Sequence, residues 1–184
     1  RTPYTRRNQS ERDWVGMFDL KGHVALITGG NSGIGLGMAR GIAKAGGALA
    51  LWGRNAEKNT AAVAELRALG ADAEAFACDV GRESEIVRSM EQTLARFGRV
   101  DSCFANAGMG APKPFVEMTL ADWNSVLDVN LTGVFLCFRE AVRHMVARGG
   151  GGKLVVTSSI GSIHGMPRQP NYAASKAGVI ALAK

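Results

Sequence analysis

The feature that most constrains this chain is a regular alternation of short apolar segments with longer amphipathic ones. Short apolar runs bounded by turn residues are typical of buried strands, and apolar residues at helical spacing are typical of helices packed on a core. The predicted strands are 23–28, 48–52, 73–78, 100–105 and 154–157, and the predicted helices are 33–45, 57–69, 83–97, 120–146 and 171–184. Strands that alternate with helices pair in parallel through right-handed crossovers. The sequence therefore predicts an α/β fold, a doubly wound parallel sheet in three layers, α/β/α.

Composition favours one folded domain preceded by a polar arm. Residues 1–20 are polar and lack a sustained periodicity, so they are predicted to form an N-terminal arm ahead of a single domain at 21–184. Apolar residues make up 46% and charged residues 21% of the chain, values typical of a folded domain rather than a disordered one. The net charge of +6 is not accompanied by a nucleic-acid-binding motif, so no nucleic-acid partner is expected.

Cysteine usage and hydropathy indicate a soluble, cytoplasmic protein. Cys78, Cys103 and Cys137 lie in apolar runs without the close pairing of redox motifs or metal sites, which favours buried, reduced thiols. No segment is long and apolar enough to cross a bilayer, and the Arg-rich start lacks the apolar core of a secretory signal. The histidines are isolated, so no metal site is predicted.

A glycine-rich turn follows the first predicted strand and leads directly into the first helix. Glycine permits positive φ angles and removes the Cβ that would keep the backbone away from a pyrophosphate. The helix N-terminus adds unpaired N–H groups and a positive dipole. A Walker-type loop is excluded because no Gly-Lys-Ser/Thr follows. We therefore predict a Rossmann-type dinucleotide site, with a turn that binds nothing as the alternative; the candidate residues are Gly29, Asn31, Ser32, Gly33, Ile34 and Gly35.

The end of the second predicted strand bears on the choice of dinucleotide. Many dinucleotide-binding folds have an acidic residue there for the adenosine ribose, but this chain has Gly53-Arg54-Asn55. Without a carboxylate to repel it, a 2′-phosphate can be gripped by the Arg54 guanidinium. NADP(H) is therefore favoured over NAD(H), and the alternative is that Arg54 is a solvated turn residue.

A phenol and an ammonium lie one helical turn apart at Tyr172 and Lys176, on the same face of the last predicted helix. The ammonium and a positive nicotinamide both favour the phenolate form, which suits a group that exchanges a proton at neutral pH. The pattern alone also arises by chance on exposed helices. Its position after the fifth strand, at the edge of the sheet where ligands bind, favours a catalytic role.

Two further polar residues are candidates for the same site. Ser159 lies just past the fifth strand, where its hydroxyl could stabilise charge on a substrate oxygen or form a turn. Asn130 lies within an otherwise apolar helix, so its amide must find partners. Those partners are either a water linked to Lys176 or a local backbone carbonyl.

Together, these motifs resemble the short-chain dehydrogenase/reductase family over residues 20–184, with 3-oxoacyl reductases and sugar-acid dehydrogenases among the similar members. The glycine pattern resembles the family's cofactor motif. The other matching segments are Asp79-Val80, similar to the pair that meets the adenine, and Asn106-Ala107-Gly108, similar to the turn that lies along the cofactor and stabilises the sheet. The family's catalytic residues fall on Asn130, Ser159, Tyr172 and Lys176. A departure is Ala105, where many members have a second asparagine.

The resemblance implies an NAD(P)-dependent oxidoreductase that moves a hydride between nicotinamide and a small carbonyl or secondary alcohol. The tyrosine would exchange the proton and the serine would position the substrate oxygen. The lysine would hold the nicotinamide ribose and favour the phenolate, while the asparagine would maintain a proton-relay water. A non-catalytic nucleotide-binding regulator or scaffold with the same fold is the alternative.

The resemblance also bears on assembly and extent. Members use the helices equivalent to 120–146 and 171–184 to form dimers and tetramers, so a homo-oligomer, either a dimer or a homotetramer, is expected. Members usually continue beyond the position of Lys184 with further strands. The last strands of the family's sheet are therefore expected to be missing from 21–184.

Overall fold

The computed structural model describes residues 18–184, so residues 1–17 of the predicted arm lie outside the described residues and the boundary at residue 20 stays a prediction. The five strands form one parallel sheet in the order β3-β2-β1-β4-β5. The strands are β1 (Val24–Thr28), β2 (Ala48–Gly53), β3 (Ala73–Ala77), β4 (Ser102–Ala105) and β5 (Lys153–Val156). Each predicted strand is confirmed to within two residues at either end.

Helices connect the strands and cover both faces of the sheet. They are α1 (Gly33–Lys44), α2 (Ala56–Ala68), α3 (Glu83–Phe97), α4 (Leu120–Leu127), α5 (Gly133–Arg148), α6 (Gly161–His164) and α7 (Pro170–Leu182). The short helix α6 and a 3₁₀ turn at Phe115–Glu117 were not predicted. Both are too short to show a periodic apolar pattern.

Two apolar cores separate the layers, because successive residues of a strand point to opposite faces. Ala25 and Ile27 of β1 pack with α1 and α2 on one face. Leu26 and Trp52 pack with α3, α5 and Val179 of α7 on the other. The predicted doubly wound sheet in three layers, α/β/α, is thereby confirmed.

The single helix predicted over 120–146 is wrong in one respect. A π-helical turn at Asp128–Thr132 separates α4 from α5, and α5 continues to Arg148. The turn carries Asn130, whose side chain is fully buried. Apolar spacing does not reveal such a turn, because the partners that hold the amide lie elsewhere in the chain.

The predicted burial of the three cysteines is confirmed. Cys78, Cys103 and Cys137 are buried and free, and burial raises the pKa of Cys78 to about 11 and the pKa of Cys103 to about 12. The thiols therefore stay neutral and pack as small apolar groups.

Residues 18–184 include no helix that is both long and apolar enough to cross a membrane. The same residues include no group of three or more His, Cys, Asp or Glu side chains placed to hold a metal ion.

Candidate active site

The site lies at the carboxyl edge of the sheet, where the strand order reverses between β1 and β4. Two neighbouring cavities open there, of ≈ 240 Å³ and ≈ 410 Å³. Their common wall consists of Gly29, Ser32, Ala107, Gly108 and Met109. The first cavity extends to Arg54 and Asp79, whereas the second extends to Tyr172 and Lys176. One elongated cleft therefore connects the two ends of the site that the sequence predicts.

The glycine turn brings β1 and the N-terminus of α1 to the middle of this cleft. Gly29 and Gly33 have φ angles of 64° and 53°, which side chains rarely adopt. Gly35 lies so close to Gly29 that a Cβ would collide with the Gly29 carbonyl oxygen. Ser32 precedes α1 without capping it, and the first turn of α1 has no acidic residue. The first N–H groups of α1 are therefore left for an anionic ligand.

Asn106 joins the ends of three strands beneath the turn. The backbone N–H groups of Asn106 and Ala107 both donate to Thr28 Oγ1, each at 3.0 Å. Asn106 Nδ2 donates to the carbonyl oxygen of Thr28 at 3.2 Å, and Thr157 Oγ1 donates to Asn106 Oδ1 at 3.0 Å. The sheet-stabilising role expected of Asn106 is visible in these contacts. Thr28 and Thr157 were missed as its partners, because their side chains meet Asn106 only in the folded chain.

At the far end of the first cavity, two cations lie beside a carboxylate. Arg54 is 68% exposed in its side chain, and its Nη1 lies 3.8 Å from Asp79 Oδ2. Lys58 also lines this cavity, and Asn55 Oδ1 accepts from its backbone N–H at 2.8 Å as the cap of α2. The sequence pattern did not predict Lys58 as a site residue. The available signal was the capping asparagine, which places the first turn of α2 beside Arg54.

The remaining predicted cofactor residues lie along the cleft. Val80 lines the first cavity and Ile34 the second. Asn31 lines the first cavity, but its Nδ2 donates to Asn59 Oδ1 at 2.7 Å, and Asn59 in turn donates to the Gly53 carbonyl at 2.8 Å. The amide nitrogen of Asn31 thus ties the glycine turn to the end of β2.

Lys176 is the buried cation of the second cavity, with 4% exposure. Its Nζ donates to the Thr157 carbonyl at 2.7 Å and lies 5.8 Å from the centre of the Tyr172 ring. Burial lowers the pKa of Lys176. Ser158 Oγ donates to the Lys176 carbonyl at 2.9 Å, which fixes this part of α7 to the chain after β5. The phenol and the ammonium are therefore brought together, as the sequence predicts.

Asn130 connects the loop after β4 with α7, the helix that carries Tyr172 and Lys176. Its Oδ1 accepts from Met109 N at 2.8 Å, and its Nδ2 donates to Met109 O at 2.9 Å and to Ser175 Oγ at 3.2 Å. Ser175 Oγ donates to the Tyr172 carbonyl at 2.7 Å. The carbonyl that Asn130 contacts belongs to Met109, 21 residues away, and not to the local backbone, and the water linked to Lys176 stays a prediction. Both amide hydrogens of Asn130 are engaged.

Ser159 lies in the turn that leads into α6. Its Oγ accepts from Gly161 N at 3.1 Å, and its carbonyl accepts from Ser162 Oγ at 2.6 Å. Among the described residues 18–184, Thr157 lines the second cavity, whereas Ser159 lines neither of the two cavities. The turn role of Ser159 is thus observed, and its catalytic role stays a prediction.

Asn171, next to the tyrosine, was missed by sequence analysis. It is fully buried, its Nδ2 donates to the Asp122 carbonyl of α4 at 3.2 Å, and its Oδ1 accepts from Tyr172 N at 2.8 Å. Asn171 therefore anchors the first turn of α7 on α4. The only signal in the sequence was an uncharged polar residue directly before Tyr172.

Known proteins are similar to this chain along almost its whole length. The family model described as short chain dehydrogenase matches residues 23–184. The 2-dehydro-3-deoxy-D-gluconate 5-dehydrogenase of Escherichia coli (strain K12) is 34% identical over 170 residues, which cover 92% of this chain and 66% of that protein. The 3-oxoacyl-[acyl-carrier-protein] reductase of Synechocystis sp. is 37% identical over 171 residues, covering 91% and 68%.

Solved structures show the same similarity. The structure of NAD⁺-bound xylitol dehydrogenase has a TM-score of 0.84 at 34% identity, covering 89% of this chain and 63% of that one. A short-chain type dehydrogenase/reductase from Mycobacterium marinum has a TM-score of 0.86 at 33% identity, covering 91% and 67%. The chain therefore spans about two thirds of the length of the relatives it matches.

The close approach of Gly35 to Gly29 can be tested with a matched pair of substitutions in α1. Gly35→Ala should lower the free energy of unfolding by about 2 kcal/mol, because the added Cβ meets rigid backbone. Gly37→Ala is the control, since a Cβ there has no heavy atom within 4 Å, and it should raise that free energy by about 0.5 kcal/mol. Urea unfolding measures both, and equal stability of the two variants would contradict the contact.

Proposed function

Because the chain belongs to the short chain dehydrogenase family, we propose that it transfers a hydride between NADP(H) and a small carbonyl or secondary alcohol. One observation carries the proposal: a single cleft contains the uncapped N-terminus of α1 at its centre and Tyr172 beside the buried Lys176 at one end. The chain covers 66% of the 2-dehydro-3-deoxy-D-gluconate 5-dehydrogenase relative, so the activity of the whole protein is part of the proposal.

The residues of the cleft fit a dinucleotide. The first N–H groups of α1 and the backbone of Gly29 suit a pyrophosphate, because both bring N–H groups or bare backbone close to the anion. The adenosine half fits the first cavity, near Asp79 and Val80, and the nicotinamide half fits the second. When bound, the nicotinamide supplies or accepts the hydride. Asn106, Ala107 and Gly108 form the wall beside it.

Tyr172 exchanges the proton that accompanies the hydride. In reduction its phenol donates to the carbonyl oxygen, and in oxidation the phenolate accepts the proton of the alcohol. Lys176 stabilises the phenolate as a neighbouring cation. An ammonium has three N–H donors, and Thr157 accepts only one of them in this structure, so Lys176 can also hold the ribose of the nicotinamide.

The space beside Gly108 supports a route for that proton. A Cβ on Gly108 would lie 3.3 Å from Asn130 Oδ1 and 3.4 Å from Lys176 Nζ, so the missing side chain leaves these two groups facing the same space. After reduction, Lys176 can pass a proton to the Tyr172 phenolate and take up a replacement through this space. Ser159 Oγ accepts from Gly161 N, and its own O–H stays available to donate to the substrate oxygen.

The first prediction of this function concerns Tyr172. Tyr172→Phe should lower kcat at least ~100-fold, because it removes the proton-exchanging group, while the affinity for the reduced cofactor changes little because the ring remains. Turnover is measured on a panel of ketones and alcohols through the absorbance of the reduced nicotinamide. Unchanged turnover in the variant would refute the mechanism. A wild-type protein that binds cofactor but turns over no substrate would favour the regulator or scaffold alternative.

Arg54 supports NADP(H) as the cofactor. Its guanidinium lies at the far end of the first cavity together with Lys58, and the ion pair with Asp79 is long and largely exposed, so a 2′-phosphate can replace Asp79 as the partner. Asp79 would also interact with the adenosine half. The xylitol dehydrogenase structure holds NAD⁺, and at 34% identity its cofactor is no guide to this chain's preference.

The cofactor proposal is tested by kinetics with both cofactors. KM for NADPH should be lower than KM for NADH, and Arg54→Ala should raise KM for NADPH about 10-fold while leaving KM for NADH within about twofold. Arg82→Ala is a matched control, because Arg82 is similarly exposed and pairs with Glu85 at 3.7 Å but is absent from the walls of both cavities. Equal KM values, or a preference for NADH, would defeat the proposal.

We also propose that the protein assembles with copies of itself as a dimer or tetramer. Helix α5 leaves Phe135, Val142 and Val146 exposed at 46%, 39% and 75%, and such apolar surface on one helix favours a protein partner. Light scattering coupled to size-exclusion chromatography should give at least twice the mass of the monomer. A stable monomer would contradict this assembly. The cytoplasmic location stays a prediction.

A further inference from the structure

The chain just before α7 makes a strained turn. Arg168 has a φ of 61° and is the only non-glycine residue with a positive φ among residues 18–184. The carbonyl of Arg168 accepts from Lys113 N at 2.7 Å, so the turn is tied to the loop that follows β4. Such conformations persist where surrounding contacts hold them, and they cluster at sites that contact ligands.

The strained turn places Gln169 beside the catalytic tyrosine. Gln169 Oε1 lies 2.8 Å from the position that a Cβ on Gly110 would occupy, and Tyr172 Cδ2 lies 4.0 Å from the same position. Gly110 and Tyr172 both line the second cavity. The amide oxygen of Gln169 and the phenol ring therefore both lie next to Gly110, and a side chain at position 110 would collide with the amide.

The amide of Gln169 has no role in holding the fold. Within residues 18–184 its side chain makes no hydrogen bond, and it does not cap α7 although Gln169 is the residue that precedes the helix. The neighbouring Asn171 performs the anchoring instead, with both ends of its amide engaged. The carboxamide of Gln169 is half-buried and can both donate and accept hydrogen bonds, so it is suited to a ligand group that also donates and accepts.

The surroundings favour a neutral ligand group. Lys113, the cation on the adjoining loop, pairs with Asp122 at 2.6 Å and is thereby neutralised, and Arg168, the residue before Gln169, is exposed to solvent. A hydroxyl group both donates and accepts, which matches the carboxamide, whereas a carboxylate can only accept. A group that is hydrogen-bonded to Gln169 would also lie close to the reacting carbonyl, because the amide oxygen and the Tyr172 ring both lie next to Gly110.

We propose that Gln169 determines substrate specificity by hydrogen-bonding a hydroxyl group next to the reacting carbonyl, so that the site prefers α-hydroxy ketones over the parent ketones. The inference rests on the proposed function and names its substrate class. In the reduction, a hydride passes from NADPH to the carbonyl carbon, the C=O π bond opens, and Tyr172 gives its proton to the oxygen. The products are a vicinal diol and NADP⁺.

The test uses matched ketones that differ by one hydroxyl, acetoin against butanone and hydroxyacetone against acetone. In the wild type, kcat/KM should be higher for the hydroxy ketone of each pair. Gln169→Leu keeps the approximate size of the side chain but removes its hydrogen bonds, so it should reduce this preference about 10-fold, mainly through KM of the hydroxy ketone. The parent ketones should react as before, whereas a purely structural role would change both members of a pair alike.

A control variant and a binding measurement complete the test. Gln92→Leu replaces an exposed glutamine of α3 and should leave the preference unchanged. In the Tyr172→Phe background, titration of the NADPH complex by fluorescence quenching measures ketone binding without turnover. The hydroxy ketone of each pair should bind more tightly than the parent ketone, and adding Gln169→Leu should remove this preference.

The inference is overturned if Gln169→Leu leaves the preference intact, if the wild type binds both members of each pair equally, or if pyruvate binds in preference to hydroxyacetone. In each of these cases the proposed function stands wherever turnover depends on Tyr172. If no ketone is turned over in a Tyr172-dependent way, the proposed function fails, and the binding titration still decides the role of Gln169.

Discussion

The position of the whole site depends on the hydrogen bonds that hold together the carboxyl ends of β1, β4 and β5. Asn106 accepts a hydrogen bond from the Thr157 hydroxyl and donates one to the Thr28 carbonyl. The Thr28 hydroxyl in turn accepts hydrogen bonds from the backbone N–H groups of Asn106 and Ala107. The ladder of a parallel sheet stops at this edge, so side chains must satisfy the last polar groups. Lys176 completes the arrangement by donating to the Thr157 carbonyl. The glycine turn and the Lys176 ammonium are thus placed by one connected polar network.

Helix α7, which carries Tyr172 and Lys176, is oriented by amides rather than by apolar packing alone. Asn171 attaches its first turn to α4, and Asn130 attaches the next turn through Ser175. Both amides are fully buried and engaged, so a rotation of α7 would leave buried polar groups unpaired. The π-helical turn matters for the same reason, because it carries Asn130 at the point where α4 and α5 meet the loop after β4. These bonds fix the first turns of α7 and thereby the position of Tyr172.

The loop after β4 is shared by both halves of the cleft. Met109 lines both cavities and is bonded twice to Asn130, and further along the loop Lys113 meets the strained turn at Arg168. The wall that a dinucleotide would contact is therefore continuous with the segment that positions Gln169. The residues proposed to contact the cofactor and the residue proposed to select the substrate are therefore held by the same stretch of backbone.

The sequence by itself determined the five strands, the helices apart from α6 and the break between α4 and α5, the parallel sheet and the pairing of Tyr172 with Lys176. All of these follow from periodicities within a few residues, which the local geometry of strands and helices translates directly into faces. Only the tertiary structure decided which partners the buried amides take and which residues join the cleft. The bond from Asn130 to Met109 spans 21 residues and the bond from Asn106 to Thr28 spans 78. No local pattern records such pairs, because a polar side chain chooses its partner only after packing has brought distant backbone within reach.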